Sequence, residues 1–430
     1  MKNLSYVRTE MLPEQAPPVG ETGIIKWMRE NLFSGWMNSI LTILGLVAVY
    51  FILLETLPWA LDSTWNAGSL NECRENAPGA CWAVINERFP QLVFGFYPNG
   101  TDGDPDQRWR IIVAFVLLLV AVAPVLFDKL PRKMILFSAI YPFFGYWLLW
   151  GGTIWGPLTA IAGFAIAYIV YRVLAPMAGN LVAVIASILT PIVWWLFLAG
   201  PIAGALGDVA PIGLMAIPSS KFGGLALSVI IGVAGIALSF PIGVLLALGR
   251  QSNLFIIKTL SVAYIEFIRG VPLITLLFVA SVLLNYFLPP GTNFDIILRV
   301  VIMVTLFSAA YMAEVIRGGL AALPRGQYEA ADALGLDYWK ANRLIIMPQA
   351  LKIAIPGIVG TFIGLFKDTT LVSIIGLMDP LALTNAIRAD QDWNGIVWEL
   401  YLFVALMFWV FTFFMSRYSM YLERKLQTGH

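Results

Sequence analysis

"IIVAFVLLLVAVAPVLF", residues Ile111 to Phe127, runs for 17 positions without a charged side chain. A hydrocarbon core of about 30 Å takes roughly 20 residues of helix, so this stretch reads as most of one membrane crossing. Its apolar residues are continuous rather than alternating. Lipid offers the backbone no hydrogen bonds, so the crossing is expected to be a helix and not a barrel strand. Working outward, comparable runs recur along the 430 residues, and ten helices are expected at about 39–61, 111–127, 134–150, 157–174, 181–199, 224–248, 261–285, 296–317, 348–366 and 396–416. Composition agrees: 59% of residues are apolar, 12% are charged and the mean hydropathy is +0.80. The expected fold is an all-α polytopic membrane protein. A formal net charge of +1 offers no broad basic surface for phosphates, which sets nucleic acid aside as a partner.

Residues 1–38 carry Pro13, Pro17 and Pro18 and lack the short apolar core of a cleavable signal, so they are read as a cytoplasmic tail. With the N-terminus inside, the basic turn "DKLPRK" (Asp128–Lys133) and the C-terminal "RYSMYLERK" (Arg417–Lys425) also fall inside, as the positive-inside rule requires. The first long loop, 62–109, then lies outside and holds the only two cysteines, Cys73 and Cys81. An oxidising compartment favours closing them into a disulfide; two unpaired small residues are the alternative. No metal site is expected, since the sole histidine is His430, and its position also denies any enzyme a histidine base. Nothing resembling a GxSxG nucleophile motif occurs either. The aromatic residues Trp147, Trp150 and Trp155 read as an interfacial belt, and helices three and four, separated only by "GGTIWGP", could form a re-entrant pair.

Organisation changes near residue 222, where "MAIPSSKFGG" (Met215–Gly224) reads as a linker between an N-terminal membrane region, 39–221, and a second five-helix region, 222–430. No sequence repeat relates the halves. Between the eighth and ninth helices lies the polar stretch "EAADALGLDYWKANRLIIMP", Glu329 to Pro348. Gly335 splits it into two short helical pieces, because it accepts a turn that a Cβ resists. Ala330, Ala331 and Ala333 give a small face beside Glu329. Tyr338, Trp339, Leu344 and Ile345 give an apolar one, and Pro348 marks entry to the next helix. On these residues alone, docking into a partner's groove and a solvated connector remain equally open.

Glu329, Ala330, Ala331, Gly335, Ile345, Met347 and Pro348 match position for position the EAA motif of ABC-importer permeases, with Met347 where Leu is usual. The resemblance extends over about residues 222–428, through "FGGLALSV" (Phe222–Val229), "FIRGVPL" (Phe267–Leu273), "AYMAEVIRGGL" (Ala310–Leu320) and "FKDTTLVSIIG" (Phe366–Gly376), and is closest to the polar amino-acid uptake subfamily. In overall architecture the chain resembles the longer permease subunit of Gram-negative systems for glutamate, glutamine, aspartate and asparagine, or for L-amino acids generally. The resemblance implies a five-helix permease core with a cytoplasmic coupling segment at 318–347, where Glu329, Ala330, Ala331, Gly335 and Pro348 seat in an ATPase subunit. It implies an inner-membrane protein with both termini cytoplasmic, a shorter sister permease, two ATPase copies and a periplasmic amino-acid-binding protein. The chain has no Walker A pattern, GxxxxGK[ST], so ATP and Mg would bind the partner ATPase and no cofactor is expected here. Uptake of amino acids, driven from outside the chain, is the expected function. An ion-coupled secondary carrier is the alternative.

An amino-acid cargo carries both charges, so its path needs charges or helix dipoles at depth. Lys367, Asp368, Thr369 and Thr370, at the outer end of helix nine, are candidates for that path, against a reading as an ion pair at the membrane surface. Glu314 and Arg269 are further candidates. Glu314 with Arg317, and Glu266 with Arg269, are spaced i,i+3 and can simply neutralise each other. Asn285 reads as a lining or interface residue.

Overall fold

Apolar runs dictate helix wherever lipid must be crossed, and the computed structural model is almost entirely helical. It describes residues 23–100, 103–127, 129–283, 286 and 295–427. The elements are α1 (Gly23–Asn31), α2 (Trp36–Leu61), α3 (Leu70–Asn76), α4 (Ala83–Phe94), α5 (Arg108–Leu126), α6 (Ile135–Trp150) and α7 (Trp155–Ala178). Next comes α8 (Asn180–Val209). It is followed by α9 (Gly224–Gln251) and α10 (Phe255–Gly270). Then comes α11 (Leu273–Leu283). The chain continues with α12 (Ile296–Ala321), α13 (Arg325–Ala333), α14 (Tyr338–Ala341), α15 (Met347–Asp368), α16 (Pro380–Arg388) and α17 (Trp398–Gln427). One two-residue antiparallel pair, β1 (Gly152–Thr153) with β2 (Gly213–Leu214), sets Gly152 opposite Leu214.

All ten expected helices form, but not all as spans. Among the described residues eight helices are long and apolar enough to cross a membrane, or nine if the bent pair α10 and α11 is one span. The seventh expected helix is this pair, broken by 100°. Pro272 is the cause: it has no N–H, and it holds Val271 in extended backbone. α6, at 16 residues, is only about 24 Å long. The expected tail is also partly helical, since α1 and the first turn of α2 precede residue 39. Asn285 lies outside the described residues.

Two compact units divide between Ala83 and Val84. In the first, Cys73 and Cys81 are joined by a disulfide, with Cα atoms 5.7 Å apart. Beside it, the Trp82 ring meets Trp59 at 5.7 Å and Trp65 at 6.1 Å.

In the second unit, residues 84–221 and the five-helix region share one core. Ile111, Leu148 and Leu149 pack in the same buried cluster as Phe222, Leu227, Leu277 and Val304. The linker at 215–224 is therefore pinned. Phe222 stacks on Trp150 at 4.5 Å, and the Trp150 indole donates to Ser219 Oγ at 2.8 Å. Arg110 is fully buried; it donates to the carbonyls of Leu148 and Leu149, in the last turn of α6, and to Met215 O at 2.8 Å. Those carbonyls lie at the negative end of α6, a setting that supports a buried cation. Tyr97 donates to Leu149 O at 2.7 Å, and burial pushes its hydroxyl up to about 12 against the pull of Arg110. Trp147 and Trp155 likewise donate inward, to Gly152 O and Ala210 O. The three tryptophans expected as an interfacial belt thus fasten turns through their indole N–H groups.

Within the five-helix region, α9 lies against α12 closely enough that a Cβ on Gly243 would come within 2.6 Å of Met312 Cγ. A second cluster, with Ile265, Met312, Ile316, Ile346, Ala350 and Ile358, fills the space between these helices and α15.

Candidate functional site

Between α12 and α15 the chain leaves the packed bundle. Pro324 begins α13, whose Ala331 is buried while Glu329, Ala330 and Ala333 are exposed. The helix ends in a Schellman motif: Gly335 N–H bonds to Asp332 O at 2.9 Å and Leu336 N–H to Ala331 O at 3.2 Å. Gly335 takes φ +66°, the left-handed conformation that disfavours any Cβ. Asp337 then caps α14, accepting from Lys340 N–H at 2.9 Å, with the Lys340 ammonium 3.0 Å from its other oxygen. These two contacts, the backbone one first, hold the Asp337 carboxyl below its ordinary range. The second piece is not separate from helix nine, as the sequence suggested. It runs through a wide turn at Asn342–Ile346 into α15, and Tyr338–Ile375 is one continuous helical stretch. Pro348 sits exposed in the first turn of α15, where its missing N–H costs least. The two pieces are tied by Gln349, whose amide donates to Gln327 Oε1 at 3.0 Å.

The outward side of this bend exposes large apolar side chains among its charges. Leu334 is 72% exposed, Trp339 67%, Leu344 63% and Tyr338 54%, and they cluster where the backbone turns.

Charged residues gather where α9, α10 and α12 meet. Glu314, on α12, is 15% exposed and takes Arg250 at 2.9 Å, Arg317 at 3.1 Å and Arg269 at 3.6 Å. Arg250 lies at ion-pair distance from Oε1 but outside hydrogen-bond alignment. Of the two expected i,i+3 pairs, Glu314 with Arg317 forms, whereas Glu266 turns to Arg250 at 2.9 Å. Arg269 leaves Glu266 for Glu314 and for the Tyr311 ring, 5.7 Å from its Cζ. Arg250 had no visible partner in sequence, because its two carboxylates come from other helices. Three guanidiniums against two carboxylates leave this network with a surplus of one positive charge.

Lys367, Asp368, Thr369 and Thr370 stand where α15 tightens into the 3-10 turn Thr369–Ile375. Thr369 is buried and donates to Phe366 O at 2.7 Å; Thr370 donates to Lys367 O at 2.9 Å. Both hydroxyls are thus committed to their own helix. Lys367 is exposed and Asp368 half-buried. Just beyond, a cavity of about 340 Å³ is lined by Ser373, Gly376, Met378 and Asn385, among others. Lys367 and Glu314 are not brought together: Gly357 packs on Val315, and Lys367 is ten residues, about 15 Å, further along α15.

Residues 239–428 match the family described as binding-protein-dependent transport system inner membrane component. Over its whole length the chain is 58% identical to the glutamate/glutamine/aspartate/asparagine transport system permease protein BztC of Rhodobacter capsulatus, covering 100% of both chains. The chain belongs to this family of amino-acid ABC-transporter permeases. A second relative, the inner membrane amino-acid ABC transporter permease protein YhdY of Escherichia coli, is 42% identical over 94% of this chain and 93% of its own. Among solved structures, a chain of an amino acid ABC transporter with histidines is 31% identical over 46% of this chain and 90% of its own, at a TM-score of 0.42. This permease is therefore a multi-pass membrane subunit of an importer for amino acids.

Proposed function

We propose that this permease carries acidic amino acids and their amides across a bacterial inner membrane, together with a shorter sister permease, two copies of a cytoplasmic ATPase and a periplasmic binding protein. The exposed apolar bend around Gly335 carries the reading. In it, Glu329, Ala330, Gly335 and Pro348 are exposed and form the docking surface for the ATPase, while the buried Ala331 holds the bend to the bundle. ATP and Mg bind in that partner. Its closure moves the bend, and the continuous helix from Tyr338 to Ile375 passes the motion on. Converting a 1:99 population into 99:1 takes roughly 5.5 kcal/mol of differential binding, which a loose connector would not transmit.

The cargo range is taken from the full-length relative BztC, whose name specifies glutamate, glutamine, aspartate and asparagine. Lys367, Asp368, Thr369 and Thr370 border the cargo path at one end of α15. Glu314 and Arg269 border it further along, where the surplus positive charge of their network attracts a cargo carboxylate. Both termini lie in the cytoplasm, which puts the Glu329 bend on the ATPase side.

Purification of the tagged chain in mild detergent tests the assembly. A shorter permease and an ATPase are expected to co-purify, with hydrolysis raised by glutamate-loaded binding protein. A chain that purifies alone and takes up amino acids under an ion gradient would overturn the proposal.

A further inference from the structure

α1 (Gly23–Asn31), outside the matched family region, has no buried residue. Its side chains divide by face. At 100° per residue, Ile24, Ile25, Trp27 and Met28 share one sector, and Lys26, Arg29 and Glu30 the opposite one. The apolar sector is open: Ile24 is 77% exposed and Trp27 56%. A nine-residue helix does not hold in water by itself, so something must support this face.

Its position identifies the support. Only four residues separate α1 from the membrane span α2. The N–H groups of Leu32 and Phe33 close onto Met28 O at 2.8 and 3.0 Å, and Thr42 Oγ1 donates to Leu32 O at 2.7 Å. Thr42 lies six residues into α2, about 9 Å along its axis. The chain leaving α1 is thus tied back to the second turn of the span, at the level where apolar helix meets lipid headgroups. Trp36, 73% exposed at the start of α2 and about 9 Å before Thr42, suits the outer part of the same headgroup zone.

We propose that α1 is an interfacial helix, seated in the phospholipid surface of the leaflet at the N-terminal end of α2. Ile24, Ile25, Trp27 and Met28 enter the acyl boundary, and the cationic face meets lipid phosphates. Lys26 is 3.8 Å from Glu30, which shares its charge, so Arg29 makes the principal phosphate contact. Such helices bury their apolar face about 5–10 Å into the headgroup boundary. The proposal does not depend on which leaflet this is, and so stands apart from the orientation given above.

The test uses the full chain in its purified assembly, reconstituted in vesicles of phosphatidylethanolamine and phosphatidylglycerol. Both native cysteines are in the disulfide, so single cysteines at positions 24, 26, 28, 29 and 30 are labelled with a nitroxide in the separately purified chain before assembly, where they are its only free thiols. Collision with lipid-soluble oxygen and with a water-soluble nickel chelate is then measured at each site. The oxygen-to-nickel ratio is expected to be several-fold higher at 24 and 28 than at 26, 29 and 30. A uniformly water-like ratio would overturn the proposal, because α1 would stand off the membrane. Low collision with both reagents at 24 and 28 would also overturn it, by showing a protein surface over the apolar face.

Discussion

Gly335→Val and Gly335→Asn together separate the backbone of the coupling bend from its surface. Gly335 sits at φ +66°, and a Cβ placed there would meet no atom of the chain within 4 Å. Packing therefore does not oppose a side chain; the left-handed backbone does. That conformation costs an ordinary residue about 1–2 kcal/mol, more when it is β-branched and less for Asn. A cost of about 1.4 kcal/mol shifts an equilibrium tenfold, so valine should lower the equilibrium constant for the bend by at least about that factor. Reconstituted with its partners, Gly335→Val is expected to lose clearly more of its ATP-driven uptake than Gly335→Asn, which should stay within about twofold of wild type. Both should reach the membrane in normal amounts, because the bend lies outside the spans. Equal losses in the two variants would refute the backbone argument, and full uptake by the valine variant would remove the coupling role.

Glu314→Gln should lower stability in detergent by about 2 kcal/mol by denaturant titration, between the ~1 kcal/mol of an exposed pair and the ~3–5 kcal/mol of a buried one. Arg317→Ala, at a side chain 41% exposed, should cost less than about 1 kcal/mol, and the reverse ranking would contradict the central place of Glu314. Asp379, outside the spans, is fully buried at the N-cap of α16, and burial raises its carboxyl to about 6 although the Leu381 and Ala382 amides oppose this. Its folded value thus lies above the unfolded 3.8, so its contribution is full below pH 3.8 and is lost as pH rises through about 6. The linked loss is about 3 kcal/mol, and Asp379→Asn should flatten that slope in unfolding measured between about pH 4 and 6. Lys367→Ala should change the relative uptake of acidic, neutral and basic amino acids with assembly intact; an identical profile would return Lys367 to a lipid-surface role.

Continuous apolar runs made the helices legible, because lipid leaves the backbone no other solution. The bend at Gly335 was legible because it needs only local hydrogen bonds, whereas its reading as a docking segment came from the resemblance to the EAA motif and not from the residues alone. Non-local contacts stayed hidden. Arg110 follows Asp106 by four residues, but Asp106 pairs with Arg108, and the main partners of Arg110 are carbonyls about 40 and 105 residues away. Arg250 and Arg269 drew partners from neighbouring helices, so pairing by i,i+3 spacing misplaced Glu266. The break at Val271–Pro272 was in plain view as a proline within an expected helix. α1 escaped because proline and charge before it coloured the whole N-terminus polar, although Ile24, Ile25, Trp27 and Met28 carry a helical period.

Photo-crosslinking from Trp339 tests the proposed coupling surface most directly. With a photoreactive phenylalanine in place of this 67%-exposed ring, irradiation of the transport-competent assembly is expected to join the chain to a soluble ATPase subunit. Adducts with lipid alone, in an assembly that still imports amino acids, would contradict the docking role of the Gly335 bend.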